Sequence, residues 1–353
     1  MRRLVKLFNI IHTFVRFVRG KPLRFFKGIK VSQQSGTDAV ALCPFSCHTK
    51  SMKNIHLEHP EDAILTGDLS VLDWFTTKSK LSVKMDGAPA IVWGKDPATK
   101  TFFVGTKSVF NKVKIKINHS HEEIDKHHTG KVADILHTCF DCLPRINGVI
   151  QGDFIGFGGD DTYHPNTITY KFDEIVQEDV IIAPHTGYLA ESDLRDAIAF
   201  PITKKQQSTD NVLFVQPEVT ISQHLDDIED MCNFARQMST ICEFVTPNEA
   251  KKVKKCLNTF IRTGTNVSAY MMEEDIAIAA DCDVNLIRLW LLVKSIKDDM
   301  FAFIDPPDDE IECYINDELC DHEGYVMHNK FGSYKIVNRE VFSYYNFTLA
   351  KQW

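Results

Sequence analysis

Alternating apolar and polar residues predict the strands that frame the first part of the chain. Residues 81–94 form two β-rich runs joined by Asp86-Gly87, a pair that is typical of a tight turn. We expect positive φ at the glycine, which would let the backbone approach a ligand. The same pattern predicts further strands over 101–110, 148–157, 165–172, 180–188, 210–219 and 334–338.

Helical spacing of apolar residues predicts the remaining elements. It is present over 132–143 and again throughout 226–303, where it predicts a mainly helical region. Residues 1–30 carry basic residues and no acid, with apolar residues at helical spacing, so we expect a basic amphipathic helix. Such a helix can pack on the protein, lie on an anionic membrane, contact nucleic acid or act as a targeting peptide. Residues 31–54 are polar and are interpreted as a linker.

Composition indicates a globular protein with ordinary charge content. The 353 residues are 44% hydrophobic, with a formal net charge of −8, so a nucleic-acid partner would need a local basic surface. The ten cysteines form no spacing framework, which favours reduced thiols and a cytoplasmic location. No apolar stretch is long enough to span a bilayer.

The turn at Asp86-Gly87 also carries the first candidate for chemistry. Lys84 stands two residues before Asp86, and this Lys-x-Asp-Gly pattern resembles motif I of the covalent nucleotidyltransferases. In that superfamily the lysine attacks the α-phosphate of a nucleoside triphosphate, for which it must lose its proton. Burial or nearby cations would lower its pKa. The alternative is an exposed hairpin with a solvated lysine.

Four further candidates follow in the order of the ligase motifs. Lys107 ends a predicted strand, and Asp153 lies on a strand between apolar neighbours. Glu323 belongs to Glu-Gly-Tyr-Val, which is similar to motif IV, and Lys335 fits the first lysine of motif V. The chain therefore resembles the ATP-dependent RNA and DNA ligases. Within them it is most similar to phage RNA ligases and to ligase-like proteins of phages and large viruses.

The resemblance implies a fold, an organisation and an activity. The fold is α+β, with antiparallel sheets flanked by helices. The core would comprise residues 55–185 and 311–353, interrupted by a mainly helical insertion or subdomain over 186–310. Lys84 would carry AMP, which passes to the 5′-phosphate of a nucleic acid, with RNA preferred over DNA. ATP and Mg²⁺ (or Mn²⁺) are the implied cofactors, and host cytoplasm is the implied location if the protein is viral.

The resemblance also implies roles for individual residues. Lys84 and Lys335 would be catalytic, and Asp153 and Glu323 would hold the metal. Tyr170 or Phe172 would stack on the adenine, as an aromatic residue does in several ligases. The nucleotide-binding residues implied are Lys84, Asp86, Gly87, Lys107, Asp153, Tyr170, Phe172, Glu323 and Lys335.

Two departures from the ligase pattern leave alternatives open. Pro89 stands where many DNA ligases have arginine, and Val337 stands where motif V has its second lysine. Lys330 or Arg339 could replace that lysine. The alternatives are a capping-type guanylyltransferase that uses GTP, a degenerate binding protein that does not seal ends, and a membrane-associated or virion structural protein. Oligomeric state does not follow from the sequence.

Overall fold

The computed structural model describes residues 57–202, 204–221, 225–265, 267, 272–305 and 311–348. The helix and linker predicted for residues 1–30 and 31–54 lie outside this part of the chain. Strands and helices both contribute to the described part, and the sheets are largely antiparallel. The α+β class predicted from the sequence is therefore confirmed.

Fifteen strands occur in the described part, and some of them pair with strands distant in sequence. In chain order they are β1 (Lys80–Lys84), β2 (Ala90–Lys95), β3 (Phe102–Gly105), β4 (Val149–Phe157), β5 (Thr162–Tyr163), β6 (Thr169–Lys171), β7 (Val180–Leu189), β8 (Ile198–Pro201), β9 (Val212–Phe214), β10 (Thr220–Ile221), β11 (Ile304–Asp305), β12 (Glu312–Ile315), β13 (Glu318–Cys320), β14 (Gly324–Asn329) and β15 (Gly332–Val337).

The larger sheet is built around β4 and β7, whose apolar runs are buried along most of their length. Its order is β3-β2-β4-β7-β8, and β9 pairs in parallel with β7. Asp153 of β4 lies opposite Ala90 of β2 on one side and Ala183 of β7 on the other. A central strand thus carries the carboxylate.

A three-stranded antiparallel sheet joins the two ends of the described chain. Its order is β1-β14-β15, with Lys84 opposite Gly324 and Val326 opposite Lys335. The strands β13-β12-β6-β5 form a third sheet, and β10 pairs with β11. Because β1 precedes β14 by most of the chain, the pairing brings the predicted motifs I, IV and V together.

Nine helices occur in the described part. They are α1 (Pro60–Ala63), α2 (Ser70–Thr76), α3 (His121–His127), α4 (Lys131–Cys142), α5 (Asp226–Ser239), α6 (Pro247–Arg262), α7 (Met272–Ala280), α8 (Val284–Met300) and α9 (Arg339–Thr348). Local sequence explains the start of α6, where Thr246 and Glu249 form a capping box and Pro247 is the first helical residue. None of these helices is long and apolar enough to cross a membrane.

The helices α5–α8 share one hydrophobic core with the three-stranded sheet. Ile287 and Trp290 of α8 belong to the same buried cluster as Tyr325 and Ile336. The region predicted as a helical insertion, residues 186–310, therefore has two parts. Its first residues add β8 and β9 to the larger sheet, and helix begins only at Asp226. The helices support the small sheet because their apolar stripes need a partner surface.

Candidate active site

Lys84 ends β1 and forms an ion pair with Glu323. The register explains the contact, because Lys84 lies opposite Gly324 and Glu323 directly precedes that glycine. Gly324 has φ of 148°, and a Cβ there would come within 2.2 Å of the carbonyl oxygen of Ile336. The glycine thus lets β14 begin close to β15 while the acid before it reaches the lysine.

Protonation of this pair is set by burial and by neighbouring carboxylates. Burial alone lowers the pKa of Lys84, but Glu323, Asp153 and Asp86 outweigh it and raise that pKa. Burial raises the pKa of Glu323 even though Lys84 favours its ionised form. In the free protein Lys84 is therefore held as an ammonium beside a carboxylate that accepts protons readily. The lowered lysine pKa expected from the sequence does not occur.

Asp86 is buried and serves as an anchor for a neighbouring loop. Its carboxylate accepts hydrogen bonds from Asn166 Nδ2 at 2.8 Å, from the Thr167 N–H at 2.8 Å and from the Ile168 N–H at 3.3 Å. Its own backbone N–H donates to the hydroxyl of Tyr170 at 2.5 Å. Asp86 therefore fixes the segment that follows Lys84, and its oxygens are already used by the protein.

Gly87 is required by close packing, and the positive φ expected for it does not occur. A Cβ at this position would lie 2.6 Å from the carbonyl oxygen of Phe154 and 3.0 Å from the Cβ of Asp153. The Ala88 N–H donates to the same carbonyl oxygen at 3.0 Å. The turn thus lies directly against β4, which brings the segment after Lys84 next to Asp153.

Asp153 faces His185 from the neighbouring strand β7. The distance from His185 Nε2 to Asp153 Oδ1 is 3.5 Å. Burial alone would raise the pKa of Asp153, but His185, Lys84 and Lys107 outweigh it and lower that pKa. A polar network continues from His185: Gln151 Nε2 lies 3.2 Å from His185 Nε2, and the Tyr188 hydroxyl donates to Gln151 Oε1 at 2.8 Å.

A cavity of about 380 Å³ lies beside these groups, and residues of both the larger and the three-stranded sheet line it. Four residues predicted from the sequence are part of its lining: Lys84, Lys107, Asp153 and Lys335. Its volume falls in the range of small-molecule sites, roughly 300–1,000 Å³. With three lysines and one aspartate, the lining is suited to a polyanion.

Lys335 is the most strongly perturbed cation of this cavity. Burial, followed by the charges of Lys84 and Lys107, lowers the pKa of Lys335 to about 8. Its ammonium group makes no hydrogen bond or ion pair within the described residues, whereas Lys84 is bound to Glu323. The cavity therefore contains a cation that lacks a counter-charge, which an anionic ligand would supply.

Glu323 and Asp153 are the two carboxylates that most raise the pKa of Lys84, and Glu323 is in direct contact with it. Within the described residues, no three His, Cys, Asp or Glu side chains converge as a metal site. Mg²⁺ commonly binds through one or two carboxylates together with substrate phosphates, and it keeps several waters. The two carboxylates therefore fit a metal that arrives with a nucleotide, and they do not form a complete cage.

Tyr170 and Phe172 are buried in the core and do not line the cavity. Tyr170 is 0% exposed, and its hydroxyl is bound to Asp86. Phe172 packs edge-on against Tyr163, with ring centroids 5.5 Å apart. Their positions do not support the predicted stacking on adenine. The rings that line the cavity are Phe110, Tyr188 and Phe200.

Neither predicted substitute for the second motif V lysine reaches the site. Arg339 is 2% exposed and binds Glu61 at 2.9 Å and Asp62 at 3.1 Å. Lys330 lies over the Phe331 ring at the β14–β15 turn. Val337 is 3% exposed and belongs to the hydrophobic core. A lysine at position 337 would therefore bury a charge, so the apolar residue there is a structural requirement.

The polar network of the cavity, formed by Gln151, His185 and Tyr188, was not predicted from the sequence. For Gln151 and His185, the sequence does contain a pattern that could have indicated them. Gln151 precedes Asp153 by two residues on one strand, so both side chains lie on the same face. His185 interrupts the apolar run of β7. Their contact depends on the β4–β7 pairing, which alternation within one strand does not reveal.

Comparison with known proteins gives a family and no function. The sequence pattern of one family, described as a family of unknown function (DUF6267), matches residues 54–284 and 269–351. No curated protein shows a significant match to this chain. No solved structure shows one either.

Proposed function

The chain belongs to this family of unknown function (DUF6267), and we propose from its own site that it is an ATP-dependent, ligase-type nucleotidyltransferase acting on polynucleotides. The observation that carries the proposal is the convergence of Lys84, Lys107, Asp153 and Lys335 on one cavity, with Glu323 bound to Lys84. These residues come from four separate segments. Antiparallel sheets on both sides of the cavity support a ligase adenylation fold, with the nucleotide between them.

In the proposed first step Lys84 is the nucleophile. Its proton passes to Glu323, the carboxylate with which it is paired and whose burial makes it a good acceptor. The freed lone pair attacks the α-phosphorus of ATP, so that an N–P bond forms. The bond between the α-phosphorus and the bridging oxygen to the β-phosphate breaks, and pyrophosphate leaves. Lys84 then carries AMP as a phosphoramidate.

The other cavity residues bind and orient the triphosphate. Lys335 and Lys107 supply positive charge where the pyrophosphate leaves, and this charge matters more in a partly buried site than in water. Asp153, whose pKa His185 lowers, accepts hydrogen bonds from the ribose in this proposal. Mg²⁺, if it binds Asp153 and Glu323 with the phosphates, supplies further charge neutralisation.

The later steps are those that a ligase needs. The 5′-phosphate of a polynucleotide, RNA in preference to DNA, attacks the AMP and frees Lys84. A 3′-hydroxyl then displaces AMP and joins the ends. A second candidate is a degenerate binding protein that keeps the fold and does not seal ends. Val337 lies in the core, and Arg339 is bound to Glu61 and Asp62. Neither residue therefore gives the site a second cation, which favours this second candidate.

The test is self-labelling in the absence of nucleic acid. Protein is incubated with Mg²⁺ and with α-labelled ATP or GTP, and label that stays on the denatured protein at alkaline pH and is lost in acid, as expected of a P–N bond, is measured. We expect label from ATP in the wild type and none in Lys84→Arg, because arginine stays protonated. Lys80→Arg is the matched control, since Lys80 lies exposed at the other end of β1. Undiminished label in Lys84→Arg would disprove the assignment, and label from GTP alone would indicate the guanylyltransferase.

A further inference from the structure

Two segments that line the cavity carry lysines and no acids. Residues 97–121 and 197–209 contain neither aspartate nor glutamate. In the first segment Lys107 and Asn111 line the cavity, and in the second Phe200 does. Both segments are therefore locally positive in a chain whose formal net charge is −8. This is the local basic surface that a nucleic-acid partner would need.

The lysines beyond Asn111 are exposed and available to a ligand. Lys112, Lys114 and Lys116 alternate with apolar residues, a pattern typical of a strand, but residues 112–116 form an irregular loop on which Val113 is 90% exposed. Within the described residues, Lys112 and Lys114 have no side-chain hydrogen bond or ion pair. Lys116 differs, because its Nζ donates to the His127 carbonyl oxygen at 2.6 Å. The loop thus presents two uncommitted ammonium groups directly after Asn111, which lines the cavity.

Phe200 supplies an exposed ring on the second segment. The ring lines the cavity and is 42% exposed. It lies against the backbone of Gly187, where a Cβ would come within 2.3 Å of the ring. Lys204 and Lys205 follow on the same segment and are exposed. Aromatic platforms beside basic grooves are how proteins bind single-stranded nucleic acids.

We propose that these two segments bind a single-stranded polynucleotide, with a base stacked on Phe200 and backbone phosphates on Lys112 and Lys114. The inference rests on the proposed function, because it names the form of the polynucleotide that receives AMP in the same cavity. A single strand is specified because only an unpaired base presents its face to a ring. An acidic peptide would match the lysines and would leave the exposed ring unused.

The test measures binding of a short 5′-phosphorylated single-stranded RNA by fluorescence anisotropy at several salt concentrations. In Lys112→Gln/Lys114→Gln we expect weaker binding and a log–log salt slope that is less steep by about 1.4, since each single-strand phosphate contact contributes about 0.7. The matched control is Lys251→Gln/Lys255→Gln, two exposed lysines on α6, which should bind as the wild type does. Phe200→Leu should lower the affinity roughly ten-fold.

Three results would overturn the proposal. The first is that Lys112→Gln/Lys114→Gln keeps the affinity for RNA and the salt slope of the wild type. The second is that a blunt duplex competes for the protein as well as the single-stranded RNA does. The third is that Phe200→Leu weakens ATP binding and leaves the affinity for RNA unchanged. Self-labelling with ATP is measured on the same preparations. If the wild type binds RNA through these lysines but never labels, the binding surface stands and the proposed function fails. If the wild type labels itself with ATP and the lysine variants bind RNA as the wild type does, the proposed function stands and the binding surface fails.

Discussion

Lys84 and Glu323 are separated by most of the chain and form an ion pair because β1 and β14 are adjacent antiparallel strands. The pair holds the lysine as an ammonium in the free protein. A nucleophilic lysine therefore needs a proton acceptor at the moment of attack, and its ion-pair partner is already in place.

The first prediction concerns that acceptor. Glu323→Gln should lower the single-turnover rate of self-labelling by about 10²-fold, the lower end of the range for a general base. It should also lower the pKa of Lys84, because a carboxylate that raises it is removed. The pKa can be read from the pH dependence of amine acylation at Lys84, followed by peptide mass spectrometry. An unchanged lysine pKa in the variant would show that the pair has no electrostatic role.

The second prediction concerns the cost of charging Lys335. Its folded pKa, about 8, lies below the ordinary value of 10.5, so the ammonium destabilises the fold below pH 8. Lys335→Met should raise the free energy of unfolding at pH 7 by about 1–2 kcal/mol, reduced for the solvent that reaches the cavity. The difference should shrink as pH rises from 8 towards 10.5. Urea denaturation at pH 7 and pH 9.5 measures it, and a constant difference would contradict the prediction.

The third prediction follows from the same lysine in the presence of ATP. A bound triphosphate gives the ammonium a counter-charge, so the pKa of Lys335 should rise from about 8 towards its ordinary 10.5. ATP binding should therefore take up a proton at pH 9. Calorimetric titration in buffers of different ionisation enthalpy measures this uptake. Lys335→Met should abolish it, and uptake that persists in the variant would assign the proton to another group.

The fourth prediction concerns Asp86, whose carboxylate accepts three hydrogen bonds. Asp86→Asn points an amide NH₂ at one of these donors and removes the charge. The free energy of unfolding should fall by about 2–3 kcal/mol. Asp210→Asn, an exposed position, is the control and should change it by less than about 0.5 kcal/mol. A loss of self-labelling at unchanged stability would instead place Asp86 in nucleotide binding.

The fifth prediction separates Arg339 from Lys330. Arg339→Met leaves Glu61 and Asp62 buried without their shared partner, which should cost about 3–5 kcal/mol of unfolding free energy. Lys330→Met at the exposed turn should have little effect. The pKa of Glu61 is lowered by Lys297 and Arg339 against the cost of burial. Its contribution to stability is therefore present at neutral pH and lost as pH falls. Equal stability of both variants would show that the buried cluster contributes little.

The sequence by itself determined the α+β class, the strands that carry Lys84, Asp153 and Lys335, and the mainly helical region from Asp226. These features depend on short-range patterns, namely alternation along strands, helical spacing and turn residues. The resemblance to the ligase motifs also predicted one site for Lys84, Glu323 and Lys335. Lys84 ends β1, Glu323 directly precedes β14 and Lys335 lies in β15.

Only the tertiary structure decided the roles of Tyr170, Arg339 and His185. Tyr170 supports Asp86 in the core, and Arg339 together with Lys297 neutralises Glu61 and Asp62. His185 faces Asp153 only because β7 is the neighbour of β4. Local sequence cannot reveal these roles, because the pKa of a group and its availability depend on burial and on charges brought near by strands and helices distant in sequence.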